Sequence, residues 1–268
     1  MTAGQVALPM YAGAPDAMQQ MGLLLRQAMH AQGLHAWPDA LVWPQDLHAH
    51  WLSPDLLLSQ ACGYPLTHAL LGKVQLLGCF RYDAPGCQGI DCRSVLIARQ
   101  EHAHMALEDF RARRVAFNSP DSQSGYNALR ALVAPLAVQG HFFQQALATG
   151  GHRLSVDAVR EGRADLAAID CVTWALLQKY APQTTVGLQS IGFSAPYPGL
   201  PLITALQTSA QALQAMRAGL QSLMATPAAA NTLAQLLISG FETPDLAVYQ
   251  RCREMEVSAV ESGYPQLA

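Results

Sequence analysis

Residues 118–127 read Asn-Ser-Pro-Asp-Ser-Gln-Ser-Gly-Tyr-Asn and follow a short apolar run at 115–117. A helical pattern begins at about Gly125, so this stretch predicts a strand, a hydroxyl-rich loop and a helix, in that order. The first turn of a helix has unpaired backbone N–H groups and carries the positive end of the helix dipole. With the hydroxyls of Ser122 and Ser124, the N–H groups of Gly125 and Tyr126 form a candidate site for a small anion. The loop contains no Lys or Arg, so hydrogen bonds and the dipole would bind the anion.

The composition limits the classes of partner. The chain has 268 residues, of which 51% are hydrophobic and 13% are charged, and its formal net charge is −3. This length is sufficient for one large domain or two lobes of ordinary size. The absence of a basic run or basic–aromatic stripe argues against a nucleic-acid partner. No uninterrupted apolar stretch reaches the ~18 residues of a membrane span, so the sequence predicts a protein that does not span a membrane.

The start of the chain and its cysteines bear on location. Residues 1–10 lack the basic beginning and the continuous apolar core of a secretory leader. The sequence as it stands therefore predicts a cytoplasmic protein, and a periplasmic one if a leader has been removed.

The six cysteines form no C-x-x-C pair, which predicts reduced and mostly buried thiols. Cys87 and Cys92 share a glycine-containing loop and could form a disulfide if the protein is exported.

Short apolar runs alternate with helical patterns along most of the chain. Strands are predicted near 6–10, 41–43, 55–59, 74–78, 94–98, 115–117, 164–169, 185–191 and 202–204. Helices are predicted at 17–31, 107–113, 125–136, 155–162 with Ser155 as a cap, and 171–180, and the residues after 209 are predicted to be almost wholly helical. Strands that alternate with helices are typical of parallel sheets. Since residues 97–201 contain a complete α/β unit of their own, the pattern predicts more than one sheet.

Three further segments accompany the loop at 118–127. They are Leu-Leu-Ser-Gln-Ala-Cys-Gly-Tyr at 57–64, Thr-Gly-Gly-His at 149–152 and Glu-Gly-Arg-Ala-Asp-Leu-Ala-Ala-Ile-Asp at 161–170. In order and spacing, these segments resemble the phosphate/phosphonate-binding branch of the type II (periplasmic-type) substrate-binding proteins of ABC transporters. The likeness in pattern spans roughly residues 5–205. Gln123 departs from the family pattern, which usually has a small hydroxyl residue between the two serines.

The resemblance implies a two-lobed α/β fold of the type II periplasmic-binding-protein kind. Each lobe would be a mainly parallel sheet flanked by helices, and two crossover strands near 97–99 and 202–204 would join the lobes. Lobe 1 would be discontinuous and consist of residues 1–97 and 200–268. Lobe 2 would consist of residues 98–199 and would contain the anion-binding serine loop.

Strand ends and the resemblance add five residues to the candidate ligand site. Asp170 ends a predicted strand, where open α/β sheets bind ligands, and could accept a proton from a phosphate or phosphonate OH, bind a ligand amine or cap the next helix. His152 follows two glycines and would contact the outer atoms of the ligand or pack at the surface. Tyr11, Ser59 and Tyr64 lie at or just after predicted strand ends of lobe 1 and would close the site from the other side or serve in packing. The two loop serines have helix capping as their alternative role.

These features favour a solute-binding protein over an enzyme. It would close its two lobes over a small oxyanion, such as phosphate, phosphonate or a related compound, without a cofactor. It would act as the binding component of an ABC-type uptake system, with the transporter permease as its partner, or as a cytosolic sensor. The alternative is a cytosolic enzyme on the same fold that acts on a small anionic metabolite, with Asp170 or His152 as acid or base.

Known catalytic and metal-binding motifs do not occur in the chain. The sequence contains no G-x-S-x-G, H-E-x-x-H or P-loop motif, so Ser124 is not predicted to be a nucleophile. The two His-Ala-His segments at 48–50 and 102–104 would need further ligands at a fixed geometry to bind a metal, and nothing in the sequence supplies them. We therefore predict neither catalytic residues nor a metal site.

Overall fold

The structure, a computed structural model, describes residues 4–11 and 13–268. The chain divides into two units, each with its own five-stranded sheet. The first unit contains the described residues up to Asp83 together with Gln88–Ile90 and Gly199–Val248. The second unit contains Ala84–Cys87, Asp91–Pro198 and Tyr249–Ala268.

Strands and helices alternate through the described residues. The strands are β1 (Gln5–Ala7), β2 (Leu56–Gln60), β3 (Val74–Tyr82), β4 (Asp91–Cys92), β5 (Ser94–Arg99), β6 (Arg114–Phe117), β7 (Gln145–Ala148), β8 (Leu166–Asp170), β9 (Leu188–Phe193), β10 (Tyr197–Pro198), β11 (Pro201–Ala205) and β12 (Ile238–Glu242). The helices are α1 (Pro15–Ala31), α2 (Leu47–Trp51), α3 (Gly63–Thr67), α4 (Ala128–Val133), α5 (His152–Arg160), α6 (Cys171–Tyr180), α7 (Ala210–Ala225), α8 (Ala230–Gln235) and α9 (Gln250–Glu261). A π-helical turn at Gln123–Asn127 leads into α4.

The first unit has the strand order β1-β2-β11-β3-β12. Here β1 and β2 pair in parallel, whereas β11 is antiparallel to β2 and β3, and β12 is antiparallel to β3. The apolar residues Met18, Met21 and Leu25 recur at helical spacing and are buried on one face of α1. α7 packs against α1 at Gly219, where an added Cβ would lie 3.0 Å from the sulfur of Met29. A side chain at position 219 would therefore require Met29 to move by a few tenths of an ångström.

The second unit has the strand order β7-β6-β8-β5-β9. β6 pairs in parallel with β7 and β8, whereas β5 is antiparallel to β8 and β9. β4 and β10 form a separate two-stranded antiparallel ribbon. The core of this unit contains the buried aromatic side chains of Phe110, Phe142, Phe143 and Tyr264. The parallel strands place the loops after β6, β7 and β8 at the same end of the sheet.

The C-terminal segment belongs to the second unit. The side chain of Asn127 donates to the carbonyl of Cys252 at 2.7 Å, and that of Arg130 donates to the carbonyl of Pro265 at 2.7 Å. These bonds attach residues 249–268 to α4 and the turn before it. The sequence-based boundaries differ from this division, since they assigned 249–268, and also 84–87 and 91–97, to lobe 1. Hydrogen bonds between residues far apart in sequence do not change the local hydrophobic periodicity. The attachment of 249–268 to the second unit could therefore not be predicted from that periodicity.

The α/β class is confirmed, but the prediction of mainly parallel sheets needs correction. Both sheets are mixed, because β5 and β11 run against their neighbours. The chain enters β5 from β4 and β11 from β10 with no helix between them. In the sheets, β5 pairs with β8 and β9, and β11 pairs with β2 and β3, so neither strand is joined directly to a sheet neighbour by the strand–helix–strand crossover that makes neighbours parallel.

Three local predictions were wrong. Residues 41–43 form no strand, and the side chains of Val42 and Trp43 are exposed. β12 lies in the region predicted to be almost wholly helical, where it extends the sheet along β3. α5 begins at His152 with Gly151 as its N-cap, so Ser155 is buried inside the helix and does not cap it.

Candidate functional site

The serine loop connects β6 to a helix start through a cap made by its own side chain. Ser122 has an extended backbone, with φ −81° and ψ 131°, and its Oγ accepts the N–H of Gly125 at 3.0 Å. The N–H of Asn127 donates to the carbonyl of Ser122 at 2.9 Å, which widens the first turn to a π-helical one. Since the Oγ atom of Ser122 is the acceptor in this cap, its hydroxyl proton is available for another acceptor.

Gly125 is required by a close approach within this loop. A Cβ at position 125 would overlap the side chain of Asn118. The N–H of Gly125 is engaged with Ser122, so this residue orients the Ser122 hydroxyl. The side chain of Tyr126 packs against Phe117 with ring centroids 5.1 Å apart, which leaves its backbone as the part that could contact a ligand.

Two hydroxyls and one imidazole meet in the second unit. Ser124 Oγ lies 2.8 Å from His152 Nε2 and 3.5 Å from Ser122 Oγ. Ser122 and Ser124 are both buried, with 4% and 7% of their surface exposed. The structure thus brings together three of the residues that the sequence indicated.

The Thr149–His152 segment is fixed against the serine loop. The N–H of Gly150 donates to the carbonyl of Asn118, and that of Thr149 donates to the carbonyl of Phe117, both at 2.8 Å. Gly150 has a φ of +91°, a left-handed conformation that favours glycine. This turn delivers His152 to the first position of α5, next to Ser124.

Burial keeps the His152 imidazole neutral. It lowers the pKa of His152 from its ordinary 6.5 to about 4, and the position at a helix N-terminus acts in the same direction. Nδ1 of the ring is buried and has no hydrogen-bond partner among the described residues. A neutral ring has one N–H donor, and its position is set by the partners of the two nitrogens.

Asp170 caps helix α6, which is one of the alternative roles that the sequence predicted for it. It ends β8, its Oδ1 accepts the N–H of Thr173 at 2.9 Å, and only 4% of its surface is exposed. Asp170 is aligned with Ser94 in the register of β8 and β5. Ser94 Oγ donates to the carbonyl of Ser124 at 2.7 Å, so these contacts connect the strand that carries Asp170 to the serine loop.

Ser94 and Tyr197 belong to this network, although the sequence did not indicate them. Tyr197 Oη lies 2.9 Å from Ser94 Oγ. Because the single proton of Ser94 goes to a carbonyl, Tyr197 must be the donor in this bond. Burial, and then the charge of Asp170, raise the pKa of Tyr197 well above its usual range, which keeps this donor protonated. The only sequence signal was the position of Tyr197 in the Pro/Gly-rich segment 194–201.

The Gln123 side chain is occupied away from the two serines. Its Nε2 donates to the sulfur of Met255 at 3.2 Å, and its Oε1 accepts the side-chain N–H of Asn127 at 2.8 Å. Gln123 is therefore buried towards α9, with 2% of its surface exposed. The residue that departs from the family pattern holds the C-terminal helix in place.

The three candidate ligand residues of the first unit differ in burial and in their contacts. Tyr11 is buried edge-on against Tyr82, with ring centroids 5.1 Å apart. Ser59 is completely buried in β2, and its hydroxyl donates to the carbonyl of Gln60 at 3.0 Å. Tyr64 lies in α3, is half-buried, and stacks on His68 with ring centroids 3.9 Å apart.

Among the described residues, neither His-Ala-His segment forms part of a cluster of metal ligands. His50 Nδ1 lies 2.9 Å from Oε1 of Gln5, and His48 packs on Trp51. Among the residues that the structure describes, Cys87, Cys92 and Cys171 form the one group of three or more His, Cys, Asp or Glu side chains close enough to share a metal ion.

Two α/β units with mixed five-stranded sheets, one of which carries a hydroxyl-lined helix start, define the class of type II periplasmic binding proteins. Residues 79–249 match the model of a family described as ABC transporter, phosphonate, periplasmic substrate-binding protein. The match covers well over half of the chain, and the chain belongs to this family. The family consists of substrate-binding proteins, so the alternative of a cytosolic enzyme is not supported.

Solved structures share the fold over almost the whole chain. A binding protein component of an ABC phosphonate transporter from Pseudomonas aeruginosa has a TM-score of 0.77 and 17% identity, covering 98% of this chain and 88% of its own. A Prochlorococcus marinus protein in complex with methylphosphonate has a TM-score of 0.75 and 14% identity, covering 96% and 98%. A Xanthomonas citri protein bound to ATP has a TM-score of 0.71 and 14% identity, covering 98% of each chain.

These comparisons confirm the predicted family and the type II fold. At such low identity, structural likeness reports the fold and not the ligand. A search of curated protein sequences found no match. Within the described part of the chain, no helix combines the length and apolar character needed to cross a bilayer.

Proposed function

We propose that this protein binds a small oxyanion, a phosphonate or phosphate compound in particular, through the hydroxyls of Ser122 and Ser124. The observation that carries the proposal is the 2.8 Å bond between Ser124 Oγ and His152 Nε2, beside the second hydroxyl. The N–H of Gly125 holds the Ser122 oxygen, and the N–H of Tyr126 is a further donor to the ligand. Membership of the phosphonate-binding family supports the ligand class.

The charges of the site favour a protonated anion. No Lys or Arg lies in the loop at 118–127, and the His152 ring is neutral. A dianion would be repelled by the buried carboxylate of Asp170. A monoanionic phosphonate can instead donate its P–OH proton to Asp170 while its other oxygens accept from the serines. Asp170 thus selects the protonation state of the ligand.

Residues of the first unit complete the site when the two lobes close over the ligand, a hinge motion without chemistry. Tyr64 would contact the ligand through its half-buried ring, which stacks on His68. Tyr11 contributes an aromatic wall with Tyr82. Ser59 would have to turn its hydroxyl away from Gln60 to take part. The family likeness supports this role for the first unit.

The family also supports a location and a partner. Its description names periplasmic proteins of ABC transporters. We therefore propose that the mature protein acts in the periplasm and delivers its ligand to an ABC transporter permease.

A thermal-shift panel with phosphate, methylphosphonate, sulfate and acetate tests the ligand class. A ligand at about 100 times its dissociation constant adds about 2.7 kcal/mol to the free energy of unfolding. We expect methylphosphonate or phosphate to stabilise the wild type, and not the Ser122→Ala/Ser124→Ala double variant. Ser258→Ala, an exposed helical serine of the same unit, is the matched control and should respond as the wild type does. No shift with any anion, or a shift with acetate alone, would overturn the proposal.

A further inference from the structure

Three cysteines from separate segments converge in the second unit. Cys87 lies in the loop at Ala84–Cys87, Cys92 lies in β4, and Cys171 is the first residue of α6. The Sγ atom of Cys87 is 3.8 Å from that of Cys92 and 3.4 Å from that of Cys171. All three sulfurs lie within 4.8 Å of one another, although Cys87 and Cys171 are 84 positions apart in sequence.

The spacing of the sulfurs fits a shared metal ion. Four thiolates around Zn²⁺ lie about 2.3 Å from the ion, so tetrahedral geometry separates the sulfurs by about 3.8 Å. A disulfide joins two sulfurs at about 2.05 Å and always leaves the third member of a trio unpaired. In this structure the three cysteines are free thiols.

The backbone around the trio holds this arrangement. Gly86 has a φ of +101°, and an added Cβ there would lie 2.9 Å from the Phe193 ring and 3.2 Å from the Cβ of Cys171. The glycine therefore allows the loop to press Cys87 against the start of α6. Cys92 and Cys171 are buried, whereas Cys87 is partly exposed, so an ion can enter from its side.

The thiolate form of cysteine, and not the thiol, binds metal ions, so a cation bound by the three sulfurs would displace their S–H protons.

We propose that Cys87, Cys92 and Cys171 form a three-thiolate site for a thiophilic cation of the Zn²⁺ or Cu⁺ class, with a fourth position open. Soft sulfur ligands select such ions over Mg²⁺ or Ca²⁺. The cysteine side chains were expected from the sequence to be buried, reduced thiols. Its ligands differ from the residues of the proposed anion site, and its test does not depend on any anion.

The test titrates the fully reduced, metal-free protein with Zn²⁺ against a chromophoric chelator under anaerobic conditions. We expect one equivalent of Zn²⁺ per chain, and a loss of affinity of at least about 100-fold in each of Cys87→Ser, Cys92→Ser and Cys171→Ser, the upper end of the cost of removing an outer-shell partner. Cys252→Ala, a buried thiol of the same unit outside the trio, should bind as the wild type does.

A second measurement uses the wild type alone, in case a serine variant fails to fold. Bound Zn²⁺ should protect Cys87 from alkylation by iodoacetamide, because a metal-bound thiolate is a poorer nucleophile, and Mg²⁺ should give no protection. Absence of Zn²⁺ binding by the reduced wild type would overturn the proposal. An equal loss of binding in Cys252→Ala would also overturn it.

Discussion

Ser124 Oγ and His152 Nε2 are joined by a hydrogen bond of 2.8 Å in the second unit. Ser124 lies in the π-helical turn before α4, and His152 is the first residue of α5. Because burial lowers the pKa of His152 to about 4, the ring is neutral at pH 7 and has one proton. With that proton on Nε2, Ser124 accepts from His152 and can donate its own proton to an anion. The imidazole thus acts as a positioning group for a hydroxyl donor.

Replacing His152 tests this arrangement. His152→Phe removes the donor to Ser124, and we expect about a 3- to 10-fold loss of phosphonate affinity, the worth of one ordinary hydrogen bond. His152→Gln keeps an N–H at a similar distance and should recover most of that affinity. Isothermal titration with methylphosphonate measures both variants. His104→Phe, at an exposed histidine, is the matched control. Equal affinities for the Phe and Gln variants would show that the bond does not orient Ser124.

The stability of the protein should depend on pH through His152. The folded-state pKa of about 4 lies below the ordinary 6.5, so the unfolded chain binds a proton first as the pH falls. Stability then rises with pH between about 4 and 6.5 and is lost on acidification through that window. The contribution is roughly 2 kcal/mol after allowing for partial exposure of the ring. Urea unfolding at several pH values should show a flatter profile in His152→Gln over this window.

Much of the candidate site in the second unit could be predicted from local sequence. A strand, hydroxyls and a glycine at 118–127 predict an anion-binding helix start, and the Gly-Gly-His segment places His152 near a strand end. The contacts that complete the network come from distant positions, since Ser94 lies 30 residues from Ser124 and 103 from Tyr197. Such pairings depend on how β5, β8 and β10 are arranged in space, and no local periodicity reports that arrangement.

At residues 41–43 and at β12, the local pattern predicts the wrong secondary structure. An apolar run at 41–43 resembles a strand, but its contact with β1, a bond from the N–H of Val42 to the carbonyl of Val6 at 2.8 Å, does not extend into a strand, and the side chains of Val42 and Trp43 are exposed. β12 lacked a strong pattern of its own, and it forms because β3 is long enough to offer it a pairing edge. In both cases the partner decided the outcome, which is a tertiary effect.

Gly125→Ala should destabilise the second unit. The new Cβ would overlap the side chain of Asn118, and overpacking of this kind typically costs about 1–3 kcal/mol. Asn118→Ala removes the overlapping atoms, so the double variant should recover part of the loss. Chemical denaturation of the two single variants and the double variant measures the coupling. Strictly additive effects would mean that the loop relaxes in another way.

Asp165→Asn should remove an acid-sensitive part of the stability. Although burial raises the pKa of Asp165, hydrogen bonds from Arg114 and then Arg99 lower it to about 2. A carboxyl with a depressed pKa stabilises the fold above its ordinary pKa of 3.8 and loses that effect as the pH falls towards 2. We expect a cost of about 2 kcal/mol at pH 7 that disappears near pH 2. Asp157→Asn, at a carboxylate that is more exposed than that of Asp165 and pairs with Arg153 and Arg160 at the surface, should cost under about 1 kcal/mol.

Gln123→Ser separates ligand binding from the attachment of α9. The variant restores the hydroxyl typical of the family, but it leaves the buried amide of Asn127 without the Gln123 oxygen, at 2.8 Å in the wild type. An unsatisfied buried donor costs about 1–3 kcal/mol, so we expect a lower free energy of unfolding and faster proteolysis at the C-terminal helix. If the serine variant gained affinity for phosphate at unchanged stability, Gln123 would be a residue of the ligand site and not a support for α9.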